Sequence, residues 1–142
     1  MSDRPRVIAL VFGGRKYGIT GEAGADVAEA QRQALFRVLD EIKPHLVVQG
    51  GASGADGVAG AWAWENKVAG WTLDAPWAVL GKAAGHMRNE TQLRAAQFFA
   101  AQCSRRGVVV ELVAVQCPGD RGTADMRERV DAAGVRVVEV VP

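Results

Sequence analysis

Long hydrophobic runs and an excess of either charge are both missing from this sequence of 142 residues. The first apolar run, residues 7–12, is too short for the core of a signal peptide or for a membrane span, so we expect no targeting or membrane segment. The 17 basic residues nearly balance the 16 acidic ones, and no five like charges follow one another. Because nucleic-acid binders usually carry a basic surplus, we do not expect nucleic acid as a partner.

Cysteine and histidine are scarce, with two residues of each. Cys103 and Cys117 form neither a CxxC motif nor a disulfide framework, which predicts a reduced, cytoplasmic protein. No HxxH, HxxxH or cysteine cluster supplies the spacing of a metal site, and two histidines give no convincing Ser-His-Asp arrangement. We therefore expect no metal and no cofactor.

Short apolar runs alternate with helical patterns along the whole chain. The run at 7–12 is typical of a strand buried on both faces of a parallel sheet, further strands are predicted at 45–49, 108–115 and 135–141, and a weak one at 71–73. The segments between them show helical spacing, which predicts helices over 24–42, from the GGASGAD loop to about residue 67, over 82–103 and over 122–133. This alternation predicts one α/β domain over 1–142, a Rossmann-like three-layer sandwich with a mostly parallel sheet of about five strands.

Three glycine-rich segments each follow a predicted strand: GGR at 13–15, GGASGAD at 50–56 and PGDRGTAD at 118–125. In a doubly wound sheet they share one edge, where backbone N–H groups and helix N-termini favour an anion such as phosphate. Glycine permits unusual φ values and leaves no Cβ in the way of the ligand. The alternative is that these are only tight turns, and the spacing is not the GxGxxG of dinucleotide-binding proteins.

A fourth segment, GKAAGHMRN at 81–89, places Lys82, His86, Arg88 and Asn89 near the start of the long helix. Arg88 is the strongest candidate for a phosphate ligand, because a guanidinium can donate two charge-assisted hydrogen bonds to phosphate oxygens. The alternative for Arg88 is an exposed helix arginine, and for His86 an ordinary polar helix residue.

Tryptophans offer a second kind of contact. Trp77 follows Pro76 beside the predicted site, where it either stacks on a base or packs into the protein. Trp62 and Trp64 lie two positions apart on a helix and cannot face the same way, so we expect one in the core and the other at a subunit contact or the sheet edge.

Taken together, these motifs resemble the YspA-like branch of the SLOG superfamily over nearly the whole chain. The motifs are GGR, GGASGAD followed by Trp62 and Ala63, Trp77, GKAAGHMRN, and PGDRGTADM. The resemblance implies a Rossmann-like fold shared with the LOG phosphoribohydrolases, with DNA-processing protein A and with domains that sense nucleotide or NAD-derived ligands. It also implies a homodimer, by analogy to dimeric relatives.

The resemblance also implies roles for individual residues. Gly50, Gly51, Ser53, Gly54 and Asp56 match the first ligand loop, Arg88 matches the arginine ahead of the LOG active site, and Gly119, Gly122 and Thr123 match the phosphate loop. To these the glycine loops and the helix start add Gly14, Arg15, Trp77, Lys82, Asn89 and Arg121 as candidate ligand-binding residues.

Two departures from the LOG pattern bear on catalysis. Met126 stands where LOG enzymes have a glutamate that faces the ligand, and Asp120 replaces the second glycine of PGG. A thioether can neither act as a nucleophile nor stabilise an oxocarbenium ion. Asp125 and Asp56 remain as candidate catalytic carboxylates, although each needs a different geometry.

Three functions follow as hypotheses. The first is a non-catalytic sensor or sequestering protein for a nucleotide or an ADP-ribose-like or NAD-like molecule. The second is a LOG-like N-glycosidic hydrolase of nucleoside monophosphates that uses a displaced carboxylate. The third is a nucleic-acid binder of the DNA-processing protein A type, against which the near-zero net charge argues.

Overall fold

Five parallel strands form the centre of the fold in this computed structural model, which describes residues 4–75 and 77–142 except for the side chain of Trp77. The strands lie in the order β3-β2-β1-β4-β5, so the chain first builds outward from β1 and then crosses to the other side of it. Their bounds are β1 Arg6–Phe12, β2 Leu46–Gln49, β3 Ala69–Thr72, β4 Val110–Gln116 and β5 Arg136–Glu139.

Helices cover both faces of the sheet. They are α1 Ala25–Ile42, α2 Ala55–Glu65, the single turn α3 Trp77–Leu80, α4 Ala84–Arg105 and α5 Arg121–Ala132, with a 3₁₀ turn over Gly81–Ala83 ahead of α4. Helices α1 and α2 pack in the apolar cluster of one face, and α4 and α5 pack in that of the other. The predicted Rossmann-like three-layer sandwich is confirmed, and the sheet is parallel throughout.

The central strand β1 divides its side chains between these two clusters. Ala9 and Val11 enter the cluster of α1 and α2, whereas Ile8, Leu10 and Phe12 enter the cluster of α4 and α5. This follows from the two-residue period of a strand, and it explains why the sequence here is a continuous apolar run. Pairing with β2 and β4 on either side leaves β1 buried in the middle of the sheet.

The prediction that the two tryptophans of α2 face different ways is confirmed. Trp62 is buried, and its indole N–H donates to Asp40 Oδ1 of α1 at 2.8 Å, while Trp64 is 87 % exposed. Compared with the prediction, the third strand begins two residues earlier and ends one residue earlier, at Ala69–Thr72, and the fourth begins two residues later and ends one residue later, at Val110–Gln116. Both described cysteines are free, and no described helix has the length and hydropathy needed to cross a membrane.

Candidate functional site

The loops after β1, β2 and β4 meet at the carboxyl edge of the sheet, as the sequence predicts. The N–H of Gly14 donates to the carbonyl of Pro118 at 2.8 Å, and the carbonyl of Gly14 accepts from Ala55 N–H at 3.1 Å. The Ser53 hydroxyl donates to the carbonyl of Arg15 at 3.1 Å. Because β1 and β4 are neighbours at the point where the strand order reverses, this is the position at which doubly wound folds bind ligands.

Glycines let these loops approach one another. A Cβ at Gly54, where φ is +84°, would collide with the backbone of Gly14 and Arg15. A Cβ at Gly50 would lie 2.9 Å from Arg88 Cδ and 2.5 Å from Gln92 Nε2, so glycine there makes room for two side chains of α4. The glycines at 50, 51 and 54 therefore allow neighbouring segments to pack closely around the site, and they do not line its cavity.

A cavity of about 260 Å³, here called the switch-point cavity, lies between these loops and the first turns of α4 and α5. Eight of the predicted ligand-binding residues line it: Arg15, Asp56, Lys82, Arg88, Asn89, Arg121, Gly122 and Thr123. Of the other predicted residues, Gly14 and Gly119 line a neighbouring groove, Gly50, Gly51, Ser53 and Gly54 line neither, and the side chain of Trp77 lies outside the described residues.

Positive charge dominates the cavity wall. Four cationic side chains line it, against two carboxylates: Arg15, Lys82, Arg88 and Arg121 against Asp56 and Asp120. Gln92, a buried residue that the sequence interpretation missed, also lines it and donates to the carbonyl of Leu73 at 3.2 Å. Its spacing of four residues from Arg88, which places both on one face of α4, is the signal that could have found it.

Arg88 lies over Gly50 in the wall of the cavity, and its Nε is buried without a hydrogen-bond partner. Leaving a buried guanidinium N–H unsatisfied costs several times what an average hydrogen bond contributes, so native proteins rarely keep one without a purpose. The nearby carboxylate of Asp56 interacts with the Arg88 charge. The arginine is thus held in place while part of its donor capacity stays unused.

Asp56 is only 7 % exposed at the start of α2. Burial raises the pKa of the Asp56 carboxyl, and the charges of Arg88 and Arg15 and an N–H from Ala52 at 3.3 Å oppose that rise. The carboxylate therefore ties the loop after β2 to the two arginines, which is a positioning role.

Thr123 has the second unsatisfied group. Its Oγ1 is buried with no hydrogen-bond partner, in the first turn of α5, and Gly119 packs against it. Asp120 precedes this helix, but its side chain makes no capping hydrogen bond to it. The first turn of α5 therefore lines the cavity, and its backbone N–H groups receive no capping hydrogen bond from the Asp120 side chain.

Asp125 does not line the cavity, although two of the residues that its carboxylate contacts, His86 and Asn89, do. Oδ2 accepts from Arg129 Nε at 2.9 Å and from Asn89 Nδ2 at 3.0 Å, and Oδ1 lies 3.1 Å from His86 Nδ1. Burial alone would raise the pKa of Asp125, but the hydrogen bonds from Arg129, Asn89 and His86 outweigh it and lower that pKa. Asp125 thus holds His86 and Asn89 in place with hydrogen bonds to both of its oxygens.

Met126 corrects one expectation. The resemblance implies that residue 126 faces the ligand, but Met126 is fully buried in the apolar cluster with Leu10 and Val130, and it does not line the cavity. That expectation is wrong, because Thr123, Met126 and Val130 form the buried stripe of α5 that packs on the sheet. A glutamate at 126 in this packing would bury a carboxylate among apolar side chains.

A larger groove of about 900 Å³, here called the outer groove, adjoins the cavity. It lies between the loop after β1, the first turns of α1 and the loop after β4. Arg15 and Asp120 line both spaces, so the two adjoin at these residues.

No protein-family model and no curated protein sequence matches this chain. Among residues 4–75 and 77–142, no three His, Cys, Asp or Glu side chains come together in a group that could hold a metal ion. The geometry of the site itself is a cationic cavity at the switch point of a parallel sheet, in which two of the lining residues each have an unsatisfied buried polar atom.

Proposed function

We propose that this protein binds a nucleotide or nucleotide-derived phosphorylated molecule in the switch-point cavity and does not cleave it, as a sensor or sequestering protein of the SLOG superfamily. The observation that carries the proposal is the pair of unsatisfied buried atoms, Arg88 Nε and Thr123 Oγ1, in residues that line one cationic cavity. They are the two buried side-chain polar atoms without a partner in the described part of the chain.

Phosphate is an anion that suits these groups. Its oxygens accept several hydrogen bonds at once, which fits a guanidinium, a hydroxyl and the N–H groups of a helix start. The four cationic side chains of the wall favour a group that carries more than one negative charge. The strand order supports the same location, since the helices that follow the neighbouring strands β1 and β4 lie on opposite faces of the sheet.

The absence of cleavage is part of the proposal. Met126 lies in the core, and the oxygens of Asp125 are occupied by Arg129, Asn89 and His86. Glycoside hydrolysis needs two carboxyl groups on either side of the bond that breaks. Two carboxylates line the cavity, and that of Asp56 is held by the loop after β2 and by its interaction with Arg88, so Asp120 alone remains where hydrolysis needs two.

Isothermal titration with AMP, ADP-ribose and NAD tests the proposal on the purified wild-type protein. We expect saturable binding of at least one of them, together with a higher melting temperature in its presence. Mass spectrometry of molecules released by denaturing the protein tests for a ligand retained from the expression host. No binding of any phosphorylated probe, and no retained phosphorylated molecule, would overturn the proposal.

The same proposal includes a cytoplasmic location and a homodimer. Two free cysteines, one of them buried at the end of β4, support a reducing compartment. Light scattering coupled to size-exclusion chromatography should give twice the chain mass of 15.1 kDa. A mass equal to a single chain would remove the dimer from the proposal and leave the binding site unaffected.

A further inference from the structure

The switch-point cavity is smaller than the pockets that usually bury a whole small-molecule ligand. Ligand pockets that bury a small organic molecule usually have volumes of about 300 to 1,000 Å³. At about 260 Å³ the cavity lies below that range, whereas the outer groove at about 900 Å³ lies within it. A larger ligand anchored by phosphate in the cavity therefore extends out of it, and the outer groove adjoins the cavity at Arg15 and Asp120, which line both spaces.

Hydrogen bonds give the outer groove a fixed wall. Tyr17 is buried beneath it, and its hydroxyl donates to the carbonyl of Gln31 at 2.7 Å. The N–H of Gly18 donates to Gln31 Oε1 at 2.8 Å, and Arg32 donates to the carbonyl of Gly18 at 2.5 Å. The loop after β1 is thus tied to α1, and the groove between them is already formed.

Apolar side chains remain exposed along this groove. Ile19 is 46 % exposed and Val27 is 43 % exposed, and both line it. Exposed apolar groups on the wall of a concave surface gain free energy when a flat apolar group covers them. A purine or pyrimidine base has such a surface.

Asp120 lies at the junction of the two spaces and is exposed to both. An ionised carboxylate can only accept hydrogen bonds, and it repels a phosphate placed against it. Its preferred partner is a hydroxyl, as when an acidic residue binds the ribose hydroxyls in dinucleotide-binding folds. The chemistry of the junction therefore fits a sugar.

We infer that the ligand is a nucleoside 5′-phosphate whose phosphate lies in the switch-point cavity, whose ribose hydroxyls face Asp120 and whose base lies in the outer groove against Ile19 and Val27. This inference rests on the proposed function and adds the direction in which the ligand extends. The competing direction leads past Arg88 to a smaller pocket of about 330 Å³ beside Met87.

Calorimetric titration with inorganic phosphate, ribose 5-phosphate and each of AMP, GMP, CMP and UMP tests the inference. The key variant is Val27→Trp, which fills the groove from an exposed position. We expect it to weaken the best nucleotide by on the order of tenfold or more while both smaller probes change less than about twofold. The matched control is Arg37→Trp, about 15 Å further along α1, which should leave all probes unchanged.

A second pair of probes tests the junction. Wild-type protein should prefer a nucleoside monophosphate over its 2′,3′-dideoxy form by roughly five- to tenfold, because each hydroxyl donates to a charged acceptor. In Asp120→Ala this preference should disappear, while inorganic phosphate binds as well as before or better.

The outcomes separate the two levels of the proposal. If nucleotides bind no better than ribose 5-phosphate, or if Met87→Trp weakens them and Val27→Trp does not, the base does not lie in the outer groove and this inference is wrong. If no phosphorylated probe binds the wild type, the proposed function fails with it.

Discussion

Two arginines near the carboxyl edge of the sheet show opposite states of their hydrogen-bonding groups. Arg127 donates to Gln116 Oε1 at 2.8 Å, to Glu139 Oε1 at 2.6 Å and to Asp131 at 3.0 Å. Arg88 keeps its Nε buried and without a partner. Groups of three residues therefore accept hydrogen bonds from Arg127, whereas no protein group accepts one from Arg88 Nε, and our proposal assigns that donor to the ligand.

The surroundings of the two arginines explain the difference. Hydrogen bonds from Arg127 to carboxylates raise the pKa of its guanidinium and join α5 to the ends of β4 and β5. Arg88 instead lies in a wall with three other cationic side chains, and the carboxylate that interacts with it, Asp56, is anchored to a loop. Clusters of like charge around an unsatisfied donor are typical of binding sites, whereas ion pairs on the surface contribute little beyond local order.

The largest effects should come from replacing each of the two arginines with alanine in turn. We expect Arg88→Ala to weaken phosphate and nucleotide binding about tenfold to a hundredfold, because charge-assisted hydrogen bonds contribute about 1.5 to 3 kcal/mol. Its melting temperature should stay nearly unchanged, since few native contacts are lost. Arg127→Ala should do the reverse, with a lower melting temperature and unchanged affinity. Calorimetry and thermal denaturation of both variants measure this, and equal affinity loss in both would remove the distinction.

Gly122→Ala should weaken ligand binding without lowering the stability of the protein. A Cβ at Gly122 meets no protein atom within 4 Å, and the residue lines the cavity at the start of α5. Alanine is the better helix former by up to about 1 kcal/mol, so the variant should melt no lower than the wild type. The added methyl group takes up ligand space, and affinity should fall on the order of tenfold.

The control for this variant is Gly57→Ala, an exposed glycine in the first turn of α2 whose added Cβ has only an ordinary contact at 3.8 Å. It should share the gain in stability and leave affinity unchanged. Normal binding by Gly122→Ala would show that the ligand does not reach α5.

Thr123→Val tests the second unsatisfied group with a smaller effect. Valine has the same shape and lacks the hydroxyl, so the ligand-free protein loses no hydrogen bond and should be as stable or slightly more stable. Affinity for phosphate should fall about three- to tenfold, as expected for one neutral donor. Thr91→Val, on an exposed position of α4, serves as the matched control. A variant that loses stability but keeps affinity would make the hydroxyl structural.

We expect the wild-type protein to hydrolyse none of its candidate ligands. AMP, NAD and ADP-ribose incubated for many hours with the wild-type protein should be recovered intact by chromatography, because Met126 is buried and both oxygens of Asp125 are engaged. Free base that appears with the wild type and disappears with Asp125→Asn would show that the site hydrolyses N-glycosidic bonds after all.

The sequence predicts the sheet, the meeting of the three loops and most of the cavity wall for a simple reason. Continuous apolar runs predict the strands, and a glycine-rich segment follows three of them. Because β-α-β connections are right-handed, few arrangements of these elements remain. Arg88 could be singled out because it lies one turn into a helix that begins beside those loops. None of these predictions requires knowing how a helix is oriented about its own axis.

The missed features all depend on such rotations or on packing depth. Residue 126 was expected to face the ligand, yet Thr123, Met126 and Val130, spaced by three and four, place it in the core. The role of Gly50 in making room for Arg88 is visible only once α4 lies over the loop. The outer groove has no motif, because it arises from the distance between a loop and α1.

Nuclear magnetic resonance of the arginine Nε–H groups tests the central claim most directly. In ¹⁵N-labelled protein titrated with inorganic phosphate and then with AMP, the Arg88 Nε–H signal, assigned with Arg88→Lys, should move to lower field and saturate as a new hydrogen bond forms. The Arg127 Nε–H signal, whose donor already bonds to Asp131, should stay in place. If the ligand binds while the Arg88 signal does not move, or while both signals move equally, the unsatisfied arginine is not the phosphate ligand and the account is wrong.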